Sequence, residues 1–182
     1  MPRLVSKVIA RTFTQAKFEK QYSVFRDWRE DTPETYKRCL AHDLKYWKVN
    51  KFIKDPEELQ RIIEVTRKHF PLLKSLFLQL VAKGGDPPDI TQLDFLDFCS
   101  QSGMIDGKLT SSTIDVYFTA TNFEEEDQDG NDDRALIRFE FLEILVRIVR
   151  GKYIETQKET SLAEGLERLI REHIVPMHDK YF

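Results

Sequence analysis

Residues 122–145, NFEEEDQDGNDDRALIRFEFLEIL, limit the fold more than any other part of this sequence. The first half holds seven carboxylates and two asparagines, and the second half is strongly apolar. Phe141, Ile144, Leu145 and Ile148 follow one another at the spacing of one helix face. We therefore expect a solvated acidic loop that leads directly into a helix buried in a core.

Helix-start patterns recur along the rest of the chain. Thr32 and Asp55 each precede a proline, which suits the first position of a helix. Asp55 with Glu58, and Ser161 with Glu164, also have the spacing of a capping box. Apolar residues at steps of three and four follow each of these starts, as expected for amphipathic helices.

Helix breakers separate these segments. Pro71 is expected to begin a new helix after the one that starts near Asp55, and GGDPPD at residues 84–89 interrupts the pattern completely. Gly103 and Gly151 mark two further helix ends. The predicted fold class is all-α.

The composition and the motifs narrow the class of function. Hydrophobic residues make up 41% of the chain, enough for a packed core, and no apolar run approaches the roughly 18 residues of a membrane span. The sequence contains no phosphate-binding glycine loop, serine-nucleophile motif or C-x-x-C pair, so we predict that the protein is not an enzyme. Cys39 and Cys99 lie far apart, and each is expected to be a small buried side chain.

Basic charge is concentrated in the N-terminal third. Residues 1–55 hold 13 Lys and Arg against 7 Asp and Glu, whereas the remainder holds 15 basic and 24 acidic residues. This asymmetry indicates either an anionic partner for a basic arm or docking of the arm on the acidic body. We predict a basic, partly helical arm over 1–55 and a domain over 56–182. The first eighteen residues have four basic and no acidic side chains, so a mitochondrial targeting segment is an alternative.

The segment KYWKVNKFIK, residues 45–54, interleaves lysines with aromatic rings. The candidate partner-binding residues are Lys45, Trp47, Lys48, Lys51 and Lys54. Such a segment suits nucleic acid or an acidic protein surface, such as that of tubulin, and we predict a protein partner and no nucleic acid. The alternative is an amphipathic helix with its rings in the core and its ammonium groups in water.

The acidic loop has the spacing at which proteins bind calcium. Calcium takes about six to eight oxygens, and a twelve-residue loop supplies them from alternate positions and from a bidentate glutamate at position 12. The matching residues are Asp129, Asn131, Asp133, Ala135 (through its backbone carbonyl) and Glu140. Arg134 stands where the sharp turn favours glycine, and an acidic insertion at 124–128 precedes the loop. The cofactor is therefore either calcium or none, and the alternative is a solvated acidic loop.

A second helix–loop–helix unit lies upstream. Its first ligand positions cannot bind calcium in the usual way, because they hold Lys83, Gly85 and Pro87. Ile90 takes the apolar loop position, and Asp94 takes the last ligand position. We expect Ile90 to pair with Leu136 or Ile137 in a short antiparallel bridge between the two loops.

With DITQLDFLDF and DGNDDRALIRFEFLEILVRI, the chain resembles the EF-hand superfamily over about residues 57–150. More narrowly, YFTATN, ALIRFEFLEILVRIVRGKY and SLAEGLERLIREHIVP look like divergent EF-hand-type domains of proteins from ciliated and flagellated protists, some of them axonemal. The resemblance implies a binding or scaffold module, often without metal, and it implies the ligand positions named above. The last helix would fill the apolar groove of such a pair with Leu162, Leu166, Leu169, Ile170 and Ile174.

Three functions fit these patterns. The first is a non-enzymatic structural or adaptor protein in a larger assembly, cytoplasmic or cytoskeletal, with the cilium as the setting that the resemblance implies. The second is a calcium sensor that uses the second loop. The third is an accessory subunit of a mitochondrial complex, which would require the N-terminus to be a targeting segment.

Overall fold

The structure is a computed structural model that describes residues 19–22, 26, 27, 29–84, 89–123 and 135–181. The chain divides into two compact units, residues 1–32 and residues 33–182. The described part of the first unit holds one 3₁₀ turn, Lys20–Tyr22. The second unit is built from helices, which confirms the predicted all-α class.

The helices of the second unit are α1 (Pro33–Tyr46), α2 (Val49–Phe52), α3 (Pro56–Gly84), α4 (Gln92–Gln101), α5 (Ser111–Asn122), α6 (Arg138–Val149), α7 (Leu162–Leu169) and α8 (Val175–Tyr181). Two short strands, β1 (Ile90–Thr91) and β2 (Ala135–Leu136), lie between them. A π-helical turn, Arg150–Ile154, continues α6, and another, Ile170–Ile174, joins α7 to α8. We call the continuous element 162–181 the C-terminal helix.

The predicted helix starts are confirmed at Asp55 and Ser161. The Asp55 carboxylate accepts the backbone N–H of Glu57 at 3.0 Å, and the Ser161 hydroxyl accepts that of Glu164 at 3.4 Å. The prediction of a new helix at Pro71 is wrong, because α3 runs through this residue. A proline removes only one helical hydrogen bond, and the apolar face continues on both sides of it, so burial outweighs the break.

The two strands form an antiparallel bridge in which Ile90 pairs with Leu136 and Thr91 with Ala135. Leu136 is one of the two partners that the sequence predicts for Ile90. Both Ile90 and Leu136 are fully buried, so the bridge also closes one end of the core.

Phenylalanine rings from α3 to α6 form the centre of the core. The Phe95 ring centroid lies 6.0 Å from that of Phe98, 6.2 Å from Phe118 and 6.3 Å from Phe141. Phe77 of α3 lies 5.8 Å from Phe141. The apolar half of residues 122–145 is therefore buried, as the sequence predicts.

The C-terminal helix packs against α3 and α6. Its predicted apolar face is buried at Leu166, Leu169, Ile170 and Ile174, and Leu162 is partly buried against the core. Gly165 permits this close approach, because a Cβ atom there would lie 2.6 Å from Cγ1 of Val149. One helix thus covers the faces that α3 and α6 turn toward it.

The structure places residues 33–55 in the second unit and not in a separate arm. The boundary between the units falls after Thr32, whereas we predicted it after residue 55. Leu40, Trp47 and Val49 are buried, and α1 contacts both α3 and α6. Burial of this apolar stripe makes α1 part of the core, although its other face is basic.

Candidate functional site

The two loops that the bridge joins lead into helices whose first turns are closed in similar ways. Thr91 Oγ1 donates to the Asp94 carboxylate at 2.5 Å and accepts the Asp94 N–H at 3.3 Å. After the second loop, the Ile137 N–H donates to Oε2 of Glu140 at 3.2 Å. Because Ile137 has no side-chain acceptor, this second cap is half of a capping box. Asp94 and Glu140, which the sequence predicts as last ligand positions, therefore each stabilise the start of their own helix.

The predicted calcium ligands are only partly within the described residues. Asp129, Asn131 and Asp133 lie outside them. Ala135 is in β2, where it pairs with Thr91 of β1, and Glu140 is fully buried in the first turn of α6. A buried carboxylate requires polar partners, and the helix N-terminus favours its negative charge. The calcium set stays a prediction.

The part of the chain that the structure describes holds neither a metal-like cluster of side chains nor a membrane-spanning helix. No three side chains of His, Cys, Asp and Glu gather there in an arrangement that could hold a metal ion. None of the helices among these residues is both long enough and apolar enough to cross a bilayer. Cys99 is fully buried, and burial raises the pKa of its thiol, whereas Cys39 is half-buried.

An ion pair joins α1 to α6. The buried Asp43 carboxylate accepts hydrogen bonds from Nε of Arg138 at 2.7 Å and from Nη2 at 2.9 Å. Asp43 is 2% exposed and the Arg138 side chain is 23% exposed. A bidentate pair of this kind fixes orientation as well as distance, so it sets how α1 lies on α6.

A second buried acid, Glu143, binds the segment that follows α1. It accepts Nη2 of Arg147 at 2.7 Å and the backbone N–H of Lys48 at 3.1 Å. The Arg147 guanidinium also lies 4.4 Å from the ring centroid of Phe52. Residues 33–54 are therefore docked on the rest of the second unit. This docking is one of the two explanations that the charge asymmetry suggested.

The five candidate partner-binding residues do not form one surface. Three of them are exposed: Lys45, Lys51 and Lys54. Trp47 is 8% exposed and belongs to the core. Lys48 is half-buried, and its Nζ donates to the backbone carbonyl of Phe123 at 3.1 Å. The Trp47 ring is therefore buried in the core and not presented to a partner, as expected if this segment is an ordinary amphipathic helix.

Sequence reasoning missed Asp43 and Glu143. The available signal was an acid on an otherwise apolar face. Asp43 lies three residues after Leu40 and four before Trp47, and Glu143 interrupts the apolar run of α6. An acid at such a position must either be paired or disrupt the core, so it predicts a cation or an N–H donor beside it.

Polar residues gather near the π-helical turn that continues α6. Nζ of the buried Lys152 donates to the carbonyl of Met104 and to the Asp106 carboxylate, both at 2.8 Å. The bond from Lys152, with backbone N–H groups of Leu109 and Lys108, holds the pKa of Asp106 well below its ordinary value. These contacts attach the loop between α4 and α5 to the end of α6.

The C-terminal helix contributes to the same region. Burial, with the neighbouring Glu172 carboxylate, raises the pKa of Tyr153 to about 12. Nδ1 of His173 lies 2.8 Å from the carbonyl of Ser102, and burial lowers the pKa of this histidine. Through His173 and Glu172, the C-terminal helix thus meets the residue that follows α4 and the π-helical turn that continues α6.

Comparisons of the chain with protein-family models, with curated proteins and with solved structures found no match. The EF-hand resemblance therefore stays a prediction from the sequence. Function must be inferred from the residues and contacts of this chain itself.

Proposed function

We propose that this protein is a non-enzymatic structural or adaptor module that binds partner proteins in a larger assembly. The module is an EF-hand-like pair in which α3 and α4 flank the first loop and α5 and α6 flank the second. The antiparallel pairing of Ile90 with Leu136 between the loops supports this assignment. The ion pairs described above join helices to one another, as structural contacts do.

The observation that carries the proposal is the C-terminal helix lying on α3 and α6. An open EF-hand pair binds target helices through an apolar groove, and here Leu166, Leu169, Ile170 and Ile174 occupy the corresponding face. Full exposure of four such side chains would cost roughly 6–12 kcal/mol. A target helix would have to offset that cost, which favours a constitutive scaffold over a switch that opens.

A buried hydrogen-bond network also holds the start of the C-terminal helix. Oε1 of Glu58 in α3 accepts the Ser161 hydroxyl at 2.9 Å and the Ala163 N–H at 3.0 Å. Glu58 was expected to cap α3 together with Asp55. It caps α7 instead, so release of α7 would leave a buried acid without these donors.

The setting follows from the resemblance and from the exposed lysines. We propose a cytoplasmic or cytoskeletal assembly, with the cilium as the first place to look and an acidic protein surface, such as that of tubulin, as one partner. A mitochondrial complex remains the alternative setting.

A calcium-binding module is the second candidate, favoured by one observation. Glu140 is fully buried at the last ligand position, immediately after a loop rich in oxygen donors. Asp129, Asn131, Asp133, Ala135 and Glu140 would hold the ion, and their oxygens suit calcium. Bound calcium would neutralise the negative charge of these carboxylates.

The test compares partner binding and surface exposure with and without calcium. Full-length tagged protein is purified from cells of its source in calcium and in chelator, and stoichiometric partners are identified by mass spectrometry. The adaptor proposal expects the same partners in both buffers and no calcium-induced binding of a dye that reports apolar surface. Partners that appear only with calcium, together with loss of calorimetric calcium binding in Glu140→Gln, would favour the sensor. No stoichiometric partner in either buffer would overturn the adaptor.

A further inference from the structure

An apolar groove of about 730 Å³ lies between α1 and the middle of α3. The described residues that line it all belong to these two helices. Leu40 and Phe70 are buried beneath it, while Tyr36, Leu44 and Pro71 also line it and are more accessible. The C-terminal helix leaves this groove open, so it differs from the covered face of the helix pair.

Among the described residues, the lining of the groove includes cations and no acids. Lys37 belongs to the α1 wall, and Arg67 and Lys68 belong to the α3 wall. Lys68 is paired with Glu167 at 2.7 Å. Within the described parts of the chain, neither Lys37 nor Arg67 has an ion-pair partner, and both are exposed. The groove therefore has an apolar floor between two positively charged rims.

Pro71 adds a polar feature to the α3 wall. A proline has no N–H, so it donates no helical hydrogen bond to the carbonyl of Arg67. This carbonyl belongs to the same turn as the exposed Arg67 side chain. Arg67 therefore contributes an exposed cation to this wall, and its main-chain carbonyl lacks this one helical hydrogen bond.

We propose that this groove binds an acidic amphipathic helix of a partner protein. This inference rests on the adaptor function proposed above and names the chemistry of the partner. The part of α1 that lines the groove, Pro33 to Leu44, is about 18 Å long, which matches a helix of about 12 residues. Apolar side chains at steps of three and four would enter the groove, and flanking carboxylates would meet Lys37 and Arg67.

Charge and composition argue against other occupants. The first eighteen residues of this chain carry four cations and no acid, so the rims would repel them. The acidic residues 124–133 have the right charge but no apolar side chain to fill the floor. A fatty acid has one carboxylate at one end, whereas the cations lie on both walls. A ligand with carboxylates along its length fits this distribution best.

The probe is a synthetic peptide of about 14 residues with leucines on one helix face and glutamates elsewhere. A matched control peptide carries lysines in place of the glutamates. Fluorescence anisotropy with the full-length protein is expected to show binding of the acidic peptide that weakens at high salt, and none of the basic peptide. Equal binding of both peptides, or of neither, would overturn the proposal.

Two variants of equal charge locate the binding site. Lys37→Glu with Arg67→Glu reverses both rims, while Arg38→Glu with Lys108→Glu makes the same change in charge at exposed residues outside the groove. The first is expected to weaken peptide binding about tenfold or more, and the second less than twofold. Similar losses in both would mean unspecific attraction and would overturn the groove as the site.

A steric variant, a lipid-binding assay and a self-association assay distinguish the peptide from a lipid or a second copy as the occupant of the groove. Ala41→Trp should fill the groove and abolish binding, with the melting temperature and circular dichroism showing that each variant is folded. Hexadecanoate binding without peptide binding would assign the groove to a lipid. Self-association of the wild type that Ala41→Trp abolishes, again without peptide binding, would assign it to a second copy. Either result would overturn the proposal.

The partner isolation described above distinguishes this inference from the adaptor function. If the Lys37→Glu, Arg67→Glu variant keeps the stoichiometric partners of the wild type, the groove inference fails and the adaptor stands. If the wild type has no partner, the adaptor itself fails. Loss of one partner in the groove variant alone, with that partner retained by the Arg38→Glu, Lys108→Glu control, is the expected result.

Discussion

Replacing Asp43 with asparagine should destabilise the whole second unit. Asp43 is 2% exposed and accepts two hydrogen bonds from Arg138, so Asp43→Asn leaves a guanidinium without its anion. Breaking a buried pair costs about 3–5 kcal/mol, but Arg138 is 23% exposed and can regain water. We therefore expect a loss of about 2–3 kcal/mol in the free energy of unfolding.

The assay is urea denaturation followed by the fluorescence of Trp47 and by circular dichroism. Trp28→Phe in every protein leaves Trp47 as the single tryptophan. Because α1 belongs to the core, both signals should change in one transition, and both should shift in Asp43→Asn. A double-mutant cycle with Arg138→Met should give a coupling of about 1–2 kcal/mol.

Two results would refute this reasoning. A change below about 0.5 kcal/mol in Asp43→Asn would mean that the pair contributes no more than an ordinary surface contact. A Trp47 transition that precedes the loss of helix would mean that residues 33–54 unfold separately, as the predicted arm would. In that case the ion pair would hold an appendage and not the core.

Three further predictions concern the C-terminal half. Gly165→Ala should lower stability by about 1–2 kcal/mol, because the new Cβ meets a methyl group of Val149, and Val149→Ala should relieve that loss in the double variant; thermal denaturation checks both. Asp106→Asn should cost about 2 kcal/mol at neutral pH, since Lys152 loses its anion while Asp106 itself is about a third exposed. Because the folded pKa of Asp106 is lowered, its contribution is complete above the unfolded pKa of about 4 and disappears as the pH falls through the folded value, so the variant should have a flatter acid limb. The lowered pKa of His173 makes the neutral form the stabilising one, so stability is complete above about pH 6.5 and falls below it, and His173→Gln should reduce that slope in melting temperatures measured from pH 8 to 5.5; an unchanged slope would contradict the assignment.

Local sequence patterns predicted the elements that depend on neighbouring residues. A cap involves groups within about four positions of each other, so Asp55 and Ser161 could be assigned without knowledge of the fold. The pairing of Ile90 with Leu136 was among the two predicted, because both occupy the same apolar position of similar loops. The predicted helix break at Pro71 was wrong because packing of the apolar face offsets the one lost hydrogen bond. The sequence does not show how strongly that face is packed.

The sequence by itself determined the helical class, most helix starts and the apolar faces, since these follow from spacing and capping chemistry within a few residues. The tertiary structure decided which faces meet. Asp43 pairs with Arg138 across 95 positions and Glu58 caps a helix more than 100 positions away, and the groove exists only because α1 lies beside α3. Such contacts depend on how helices pack, and a linear pattern that marks an acid as misplaced does not specify the cation or N–H group that it will meet.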